Sequence, residues 1–459
     1  MSPAVPLSPA DDAIFADDYD PNALSIDDAA RRLLAAMPLP TEVEWVGLRQ
    51  ALGRVLARPQ SAPVAVPAHR SSAMDGYALR SSDLTSSDRI NADPTSVHPS
   101  AVDPAAGNPV PLTTADGSHW RLPLAGTSAA GHPLAQALPA GTAIRIMTGA
   151  VVPDGADVVV MQEHVVVQDG ALHIPVTLPI RPGMNVRAVG EDLAAGALAL
   201  PAGRRIRPAD LGLAASLGLA ELPVHPRLRV AFFSTGDELC SIGQQPAVGQ
   251  VFDSNRYTLF GMLEQLGVEV HDLGVVRDTP ADLQRAFLAA MACADVVISS
   301  GGVSVGDADF VRQMLERLGR TVFWKIAVKP GRPFAYGELG DGVHFFGLPG
   351  NPVAVMVTFH QLVRPALLRR MGITQAAPKL TVQAVTTAPL KKVPGRVEFQ
   401  RGVLSPLADG SWQVDPTGEQ GSGMLSSMSL ANCFIRLPES AGKLPAGVTV
   451  TVEPFDEGL

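Results

Sequence analysis

Residues 294–310 read ADVVISSGGVSVGDADF. A β-branched apolar run ends in Ser299 and Ser300; Gly301, Gly302 and Gly306 follow, with Ser304 among them, and then Asp307 and Asp309. Behind them Val311, Met314, Leu315 and Leu318 recur at helical spacing. Such a segment is a strand, a loop whose backbone can approach a ligand, and carboxylates at a helix start. Glycine frees backbone N–H groups to face an anion there. Carboxylates together with a phosphate are the usual way to hold Mg²⁺. The chemistry on offer is binding of a phosphorylated small molecule with its divalent cation. The run is neither a Walker loop, since no Gly-Lys-Ser/Thr follows, nor a GxGxxG fingerprint.

The elements needed to position that loop surround it. Residues 229–233 read as a short buried strand, followed by Ser234-Thr235-Gly236-Asp237-Glu238. A helix is expected over 255–266 with Ser254 as its cap, then a strand over 268–276 ending in Arg277-Asp278. Thr279-Pro280 starts the next helix. Strands are expected at 295–299, 321–328 and 343–347, the last leading through Leu348-Pro349-Gly350-Asn351-Pro352 into a long apolar helix to about residue 370. This alternation predicts a doubly wound parallel sheet over 228–373. Ligands of such sheets sit at the carboxyl ends of the strands. Those ends carry Asp237 and Glu238, then Asp278, then Asp307 and Asp309; Lys325, Lys329 and Arg332 can neutralise further negative charge. Each has a plainer explanation taken singly: Asp309 as a helix cap, Asp278 as a turn former, Glu238 and the cations as solvated charges. Their convergence on one sheet edge favours a site.

The flanks differ in character. Residues 1–23 are Asp, Pro and Ala rich, and a disordered tail is expected. Ser25 can cap a helix through 29–37. A helical and β linker domain is expected from 24–70 together with 190–227, the latter packing back on that helix. A β-rich domain is expected over 71–189, with strands at 142–147 and 156–162 and a patternless surface insertion near 87–122. Residues 377–457 alternate as short strands, with Ala408-Asp409-Gly410 as a hairpin turn, and predict a small β-barrel.

Composition narrows the function classes. A net charge of −9 over 459 residues argues against a broad nucleic-acid surface. Three isolated cysteines argue against a zinc or disulfide framework and fit a reducing compartment. No apolar stretch is long enough to cross a bilayer, and the N-terminus lacks signal-peptide character. A cytoplasmic protein is expected, with no nucleic-acid or membrane partner. His164, His271 and His360 lack metal-site spacing, and Ser234 and Ser304 lack a Gly-x-Ser-x-Gly elbow.

Eight segments occur together in one order: SSAMDGYA (71–78), IRIMTGA (144–150), GEDL (190–193), FSTGDEL (233–239), SSGGVSVGDADF (299–310), KPGRPFAYG (329–337), GLPGNP (347–352) and FQRG (399–402). In these the chain resembles the molybdopterin molybdenumtransferase family, the molybdenum-insertion enzymes of molybdenum cofactor synthesis, and is similar to the E domain of gephyrin. The resemblance covers about residues 25–454. It implies a homodimer of four-domain subunits that takes adenylylated molybdopterin and molybdate, with Mg²⁺, and releases AMP and molybdenum cofactor. By motif position it implies functional roles for Asp75, Thr148, Asp192, Glu238, Asp278 and Asp309; Glu238, Asp278 and Asp309 are also the Mg²⁺ ligands expected from the sheet edge itself. It implies substrate contacts from the 301–306 loop (Gly301, Gly302, Ser304, Gly306), from Lys325, Lys329 and Arg332, from Pro349 and Pro352, and from Arg401 and Ser422. Molybdate is expected on Arg401, Lys329 and Ser422. The cleft is implied to lie across the dimer, so that Asp75, Thr148 and Asp192 face the sheet edge of the other subunit. Contact with the adenylylating enzyme and with recipient apoenzymes is expected. Arg332 stands where a lysine is common in the family, and the 87–122 insertion is long for it. A non-catalytic pterin-binding scaffold of the gephyrin E type is the alternative; a competence-damage-type phosphohydrolase is disfavoured because such proteins lack the first half of the chain. A tungstate-preferring enzyme would look the same.

Overall fold

The structure, a computed structural model, describes residues 23–84, 112–114, 116–302, 310–340, 342–374 and 379–455. Nearly all of the expected tail, most of the expected insertion, and Ser304, Gly306, Asp307 and Asp309 lie outside these. The chain divides into two compact units, one drawn from 1–58, 202–208 and 221–459, the other from 59–201 and 209–220. Among the described residues no helix is long and apolar enough to cross a membrane.

The first unit is organised by a six-stranded sheet. Its elements are β1 (Arg229–Thr235), α1 (Ser254–Leu266), β2 (Glu269–Val276), α2 (Pro280–Cys293), β3 (Val296–Ser300), α3 (Phe310–Leu318), β4 (Gly319–Lys325), β5 (Pro333–Leu339), β6 (Val343–Leu348) and α4 (Pro352–Thr358). The strand order is β2-β1-β3-β6-β5-β4. The first four are mutually parallel. The sheet then differs from an all-parallel one: β5 and β4 continue it as an antiparallel hairpin. β5 is a strand the sequence hides, because Lys329-Pro330-Gly331-Arg332-Pro333 reads as a loop. β4 still points the same way as the parallel strands, so its end at Lys325 falls on the same edge.

Local chemistry explains these boundaries. Thr279 accepts from Asp282 N, and Pro280 fills the first turn of α2. The cap of α1 is Asp253, whose side chain accepts from Arg256 N; Ser254, expected as cap, is already helical. Gly267 closes α1 at φ 75°. Along β1 the side chains alternate between two cores. Phe232 joins Leu259 and Leu263 of α1 and Val353 of α4 on one face. Phe233 joins Phe287 of α2 and Leu315 of α3 on the other, with Phe233 and Phe287 edge to face at 5.3 Å. Helices therefore cover both faces. The long helix expected after Pro352 runs on from α4 through a π turn at Phe359–Val363 into Arg364–Arg370.

The C-terminal strands are β7 (Val382–Thr386), β8 (Val397–Pro406), β9 (Trp412–Pro416), β10 (Cys433–Leu437) and β11 (Thr449–Pro454). They run in the order β8-β9-β7-β11-β10, and β10 pairs back to β8, which closes a five-stranded barrel. The expected 408–410 turn joins β8 to β9. Residues Val328–Lys329 pair with β8 and stitch the barrel to the α/β domain. A buried carboxylate reinforces the junction: Glu453 accepts from Lys379 Nζ at 2.6 Å and Gln361 Nε2 at 2.7 Å. The N-terminal helix, Ile26–Ala36, is capped by Ser25 as expected and buries Ile26, Ala29 and Leu33. Within the 190–227 segment, residues 198–200 pair with 60–61, 221–224 pair with 44–47, and Arg205 and Val224 bridge to Val55 and Leu56.

The second unit centres on a seven-stranded sheet. Gly76–Leu79 lies between Ala143–Ile146 and Val158–Met161. Gly76 must be glycine: a Cβ there would lie 2.0 Å from Val160 O. The end of the expected insertion is in fact strand, since His119–Ser128 pairs with Ala171–Pro175 and buries Leu122 completely. Trp120, Leu122 and Leu124 supply the alternation that the Pro and Ser around them obscure.

Candidate active site

The strand order fixes where a ligand can enter. After β1 the chain crosses to β2 on one side; after β3 it crosses to the other side. The loops leaving β1 and β3 therefore diverge and open a crevice at the sheet's carboxyl edge. A cavity of about 930 Å³ opens there, between this edge and the C-terminal barrel.

Its floor is the glycine loop. Gly301 and Gly302 have φ of 90° and 69°. A Cβ on Gly301 would sit 2.3 Å from Thr235 O, and one on Gly302 2.4 Å from Val311 Cγ2. Both positions thus require glycine by backbone conformation and by close approach. Beside them Thr235 Oγ1 is buried and has no hydrogen-bond partner among the described residues.

One wall is acidic. Glu238 follows β1 and Asp278 follows β2, and both line the cavity. Burial first, then the charges of Asp237 and Glu238, hold the Asp278 carboxyl above the ordinary aspartate range. Among the described residues no set of three or more His, Cys, Asp or Glu side chains is arranged to hold a metal ion. The third expected ligand, Asp309, lies outside them. Two carboxylates that repel one another, facing open space, still suit Mg²⁺, which is normally held by one or two carboxylates plus substrate phosphate.

The lining also carries cations. Lys329 and Arg332 belong to it with Lys391, which the sequence did not single out. Lys329 Nζ lies 3.1 Å from Glu398 Oε1, and Glu398 is only 3% exposed. Gln400 Nε2 donates to the same oxygen at 3.0 Å. Ser422 lines the cavity, and its carbonyl accepts from Val353 N at 3.1 Å, so the start of α4 holds it in place. Pro349 lines the cavity too, whereas Pro352 and Lys325 do not; Pro352 fills the first turn of α4.

Arg401 lies away from the cavity lining. Expected to hold an anion, it is instead fully buried. Its guanidinium donates to Ser427 Oγ at 2.9 Å and to the carbonyls of Gln420, Glu419 and Gly421 at 3.1, 3.3 and 3.0 Å. It shapes the 419–421 loop that leads to Ser422. Burial lowers its pKa to about 10, which leaves it charged at neutral pH.

The second compact unit carries the remaining expected residues. Thr148 donates to Asp75 Oδ1 through its backbone N–H at 2.7 Å and its hydroxyl at 2.8 Å. These bonds, the backbone one first, lower the Asp75 pKa. The turn carrying Thr148 is pinned by Gly149 N to Ser72 O and by Ser72 N to Ala150 O. Asp192 sits on a separate exposed turn, its N–H donated to Val66 O at 3.0 Å.

Known proteins match along nearly the whole chain. Residues 24–218 match the MoeA N-terminal region (domains I and II), residues 231–369 a probable molybdopterin-binding domain, and residues 383–455 the MoeA C-terminal region (domain IV). A molybdopterin molybdenumtransferase of Haemophilus influenzae is 42% identical over 95% of this chain and 100% of its own length. One from Nostoc is 34% identical over 90% of this chain and 88% of its own. The solved molybdopterin biosynthesis moeA protein of Pyrococcus horikoshii superposes with a TM-score of 0.75 at 25% identity, covering 94% of this chain and 100% of that one. The fold, the cavity at its switch point and these likenesses agree: the chain belongs to the molybdopterin molybdenumtransferase family.

Proposed function

We propose that this protein inserts molybdenum from molybdate into adenylylated molybdopterin, with Mg²⁺-dependent release of AMP. The observation that carries this reading is the make-up of one cavity: Glu238 and Asp278 from the ends of β1 and β2, the cations Lys329, Arg332 and Lys391, and the glycine pair Gly301 and Gly302 all line it, together with Glu398 and Glu419. A phosphoanhydride carrying a metal suits the acids, and an oxyanion suits the cations.

Glu238 and Asp278 would hold Mg²⁺, with Asp309 as the third expected ligand. The bound ion would neutralise charge on the anhydride and its leaving phosphate. Gly301 and Gly302 would let the backbone approach the pterin phosphate. Lys329, Arg332 and Ser422 would hold molybdate near the pterin, with Arg401 acting through the loop it braces. The acids would hold the cation rather than serve as lone bases, since a metal-bound phosphate would be a leaving group of low proton affinity. The test is single-turnover AMP release from adenylylated molybdopterin with and without molybdate. Release independent of molybdate, or unchanged in Asp278→Ala, would refute the assignment.

The same reading takes the protein as a cytoplasmic homodimer in which the partner subunit supplies the Asp75–Thr148 pair and Asp192. Family likeness supports this. Mixing inactive Asp75→Asn with inactive Asp278→Asn should restore activity through hybrid dimers; no recovery on subunit exchange would exclude it. Contact with the adenylylating enzyme and with recipient apoenzymes belongs to the same proposal.

A further inference from the structure

We propose that Asn255 is a positioning residue that locks the two loops forming the cavity's inner wall into one unit. The inference rests on reading that cavity as the pterin site. Asn255 is the second residue of α1, 7% exposed, and does not line the cavity itself. Its amide nitrogen donates to Ser300 Oγ at 2.8 Å and to Gly350 O at 2.7 Å. Ser300 ends β3 and is followed at once by Gly301 and Gly302; Gly350 lies in the turn after β6. Gly301, Gly302 and Gly350 all line the cavity. A single side chain therefore commits both amide hydrogens to two different ligand-facing loops. Gly301 N to Leu348 O, at 3.1 Å, is a third tie between the same loops.

The donor is well anchored and has one orientation. α1 is thirteen residues long, capped by the buried Asp253 and packed through Leu259 and Leu263 into the core. Flipping the amide would set Oδ1 against Gly350 O, two acceptors facing each other, so the nitrogen must point to the loops. Among the described residues the buried Oδ1 has no partner, nor has Ser234 Oγ, which the β1/β3 register sets opposite Ser300. A buried unpaired carbonyl is costly. Retaining one here is explained by the two bonds that the other half of the amide makes. Ser300 is already held by its pairing with Ser234 and Leu348, so the Asn255 bond fixes its side chain, whereas Gly350 lies beyond the end of its strand and is glycine, the most permissive backbone type.

The two variants separate the two ties. Asn255→Ala removes both. Asn255→Asp places an acceptor against Gly350 O but can still accept from the Ser300 hydroxyl, so it breaks the Gly350 tie selectively. The measurements are kcat and KM for molybdate-dependent AMP release, the melting temperature, and hydrogen exchange of peptides spanning 296–302 and 348–353. For Asn255→Ala the expected result is faster exchange in both peptides and a kcat lower by roughly 10- to 100-fold, the scale of loss for about 1 Å of misplacement. KM for molybdate should change little, because Asn255 touches none of the lining cations. Asn255→Asp should speed exchange mainly in 348–353, and it decides the matter if the alanine variant does not fold. Parent-like kcat with unchanged exchange overturns the proposal, as does a loss that vanishes once activity is measured below the variant's melting point. If the parent itself shows no molybdate-dependent AMP release while the exchange pattern appears as expected, the loop lock stands and the functional reading falls.

Discussion

Lys329→Ala separates what a residue does for the fold from what it does for the ligand. Its ammonium pairs with Glu398, a carboxylate whose side chain is 4% exposed, while the lysine side chain is 49% exposed; the charges of Lys392 and Arg401 act on the same carboxylate from farther off. Stripping the partner from a fully buried ion pair costs about 3–5 kcal/mol. An exposed pair is worth about 0–1 kcal/mol. Half the lysine is in water, and Gln400 still donates to the same oxygen, so the expected loss lies between, about 1–2 kcal/mol. Urea denaturation should show it as a lower midpoint with an unchanged slope. Molybdate dependence should weaken in parallel, since Lys329 lines the cavity. Adding Glu398→Gln removes the stranded charge. The double variant should regain most of the stability and none of the molybdate affinity, giving a clear coupling term in stability alone. A single variant with parent stability, or a double variant that recovers both properties, would refute this account of the residue.

Three further outcomes are expected. Gly301→Ala, forced to keep φ near 90° with its Cβ 2.3 Å from Thr235 O, should lose about 2–5 kcal/mol, from about 1–2 for the left-handed backbone and about 1–3 for overpacking; a loss below about 1 kcal/mol by urea denaturation contradicts the packing described. Asp278 has a raised folded-state pKa, so the folded state keeps a proton that the unfolded chain has released, and this group's contribution to stability falls as pH rises through that window. Asp278→Asn should therefore gain stability relative to the parent above the ordinary aspartate range, while Mg²⁺-dependent AMP release is lost; identical stability curves against pH would argue against the crowded carboxylates. Thr148→Val removes the hydroxyl donor and keeps the backbone N–H, so the Asp75 carboxyl, followed by NMR titration, should move part of the way back toward its ordinary range. A titration identical to the parent's would show that the hydroxyl bond is not made.

Some of the molecule was written locally and some was not. The caps at Ser25 and Thr279 are properties of four residues each, and both are where the sequence puts them. The glycine pair and the acids after β1 and β2 could be placed on one edge because parallel strands put all their carboxyl ends together. β5 escaped notice because its entry is Pro-Gly-Arg-Pro, turn chemistry that masks a strand held by its neighbours β4 and β6. The burial of Arg401 is illegible in sequence for a related reason. A motif gives a residue's place in the chain but not its neighbours, and only the fold shows three carbonyls and a hydroxyl converging on its guanidinium. Lys391, Glu398 and Gln400 join the cavity through barrel closure, which no short window of sequence records. The adjacent lysines at 391 and 392 were the available signal, and they divide the work: Lys391 lines the cavity, while Lys392 is buried and donates to the carbonyls of Arg396 and Ala441 at 2.8 and 3.2 Å. Asn255 likewise acts on residues about 45 and 95 positions away, a distance at which side-chain chemistry alone carries no pairing information.

The central claim is that the crevice between β1 and β3 holds the pterin phosphoanhydride with its cation. It is tested most directly by diffraction from crystals soaked with adenylylated molybdopterin and Mn²⁺, using the anomalous signal of the metal. The account predicts a peak within ligand distance, about 2.0–2.6 Å, of both Glu238 and Asp278 carboxylates and against the phosphoanhydride. A metal and nucleotide bound together anywhere else on the chain, with those two carboxylates empty, would contradict it.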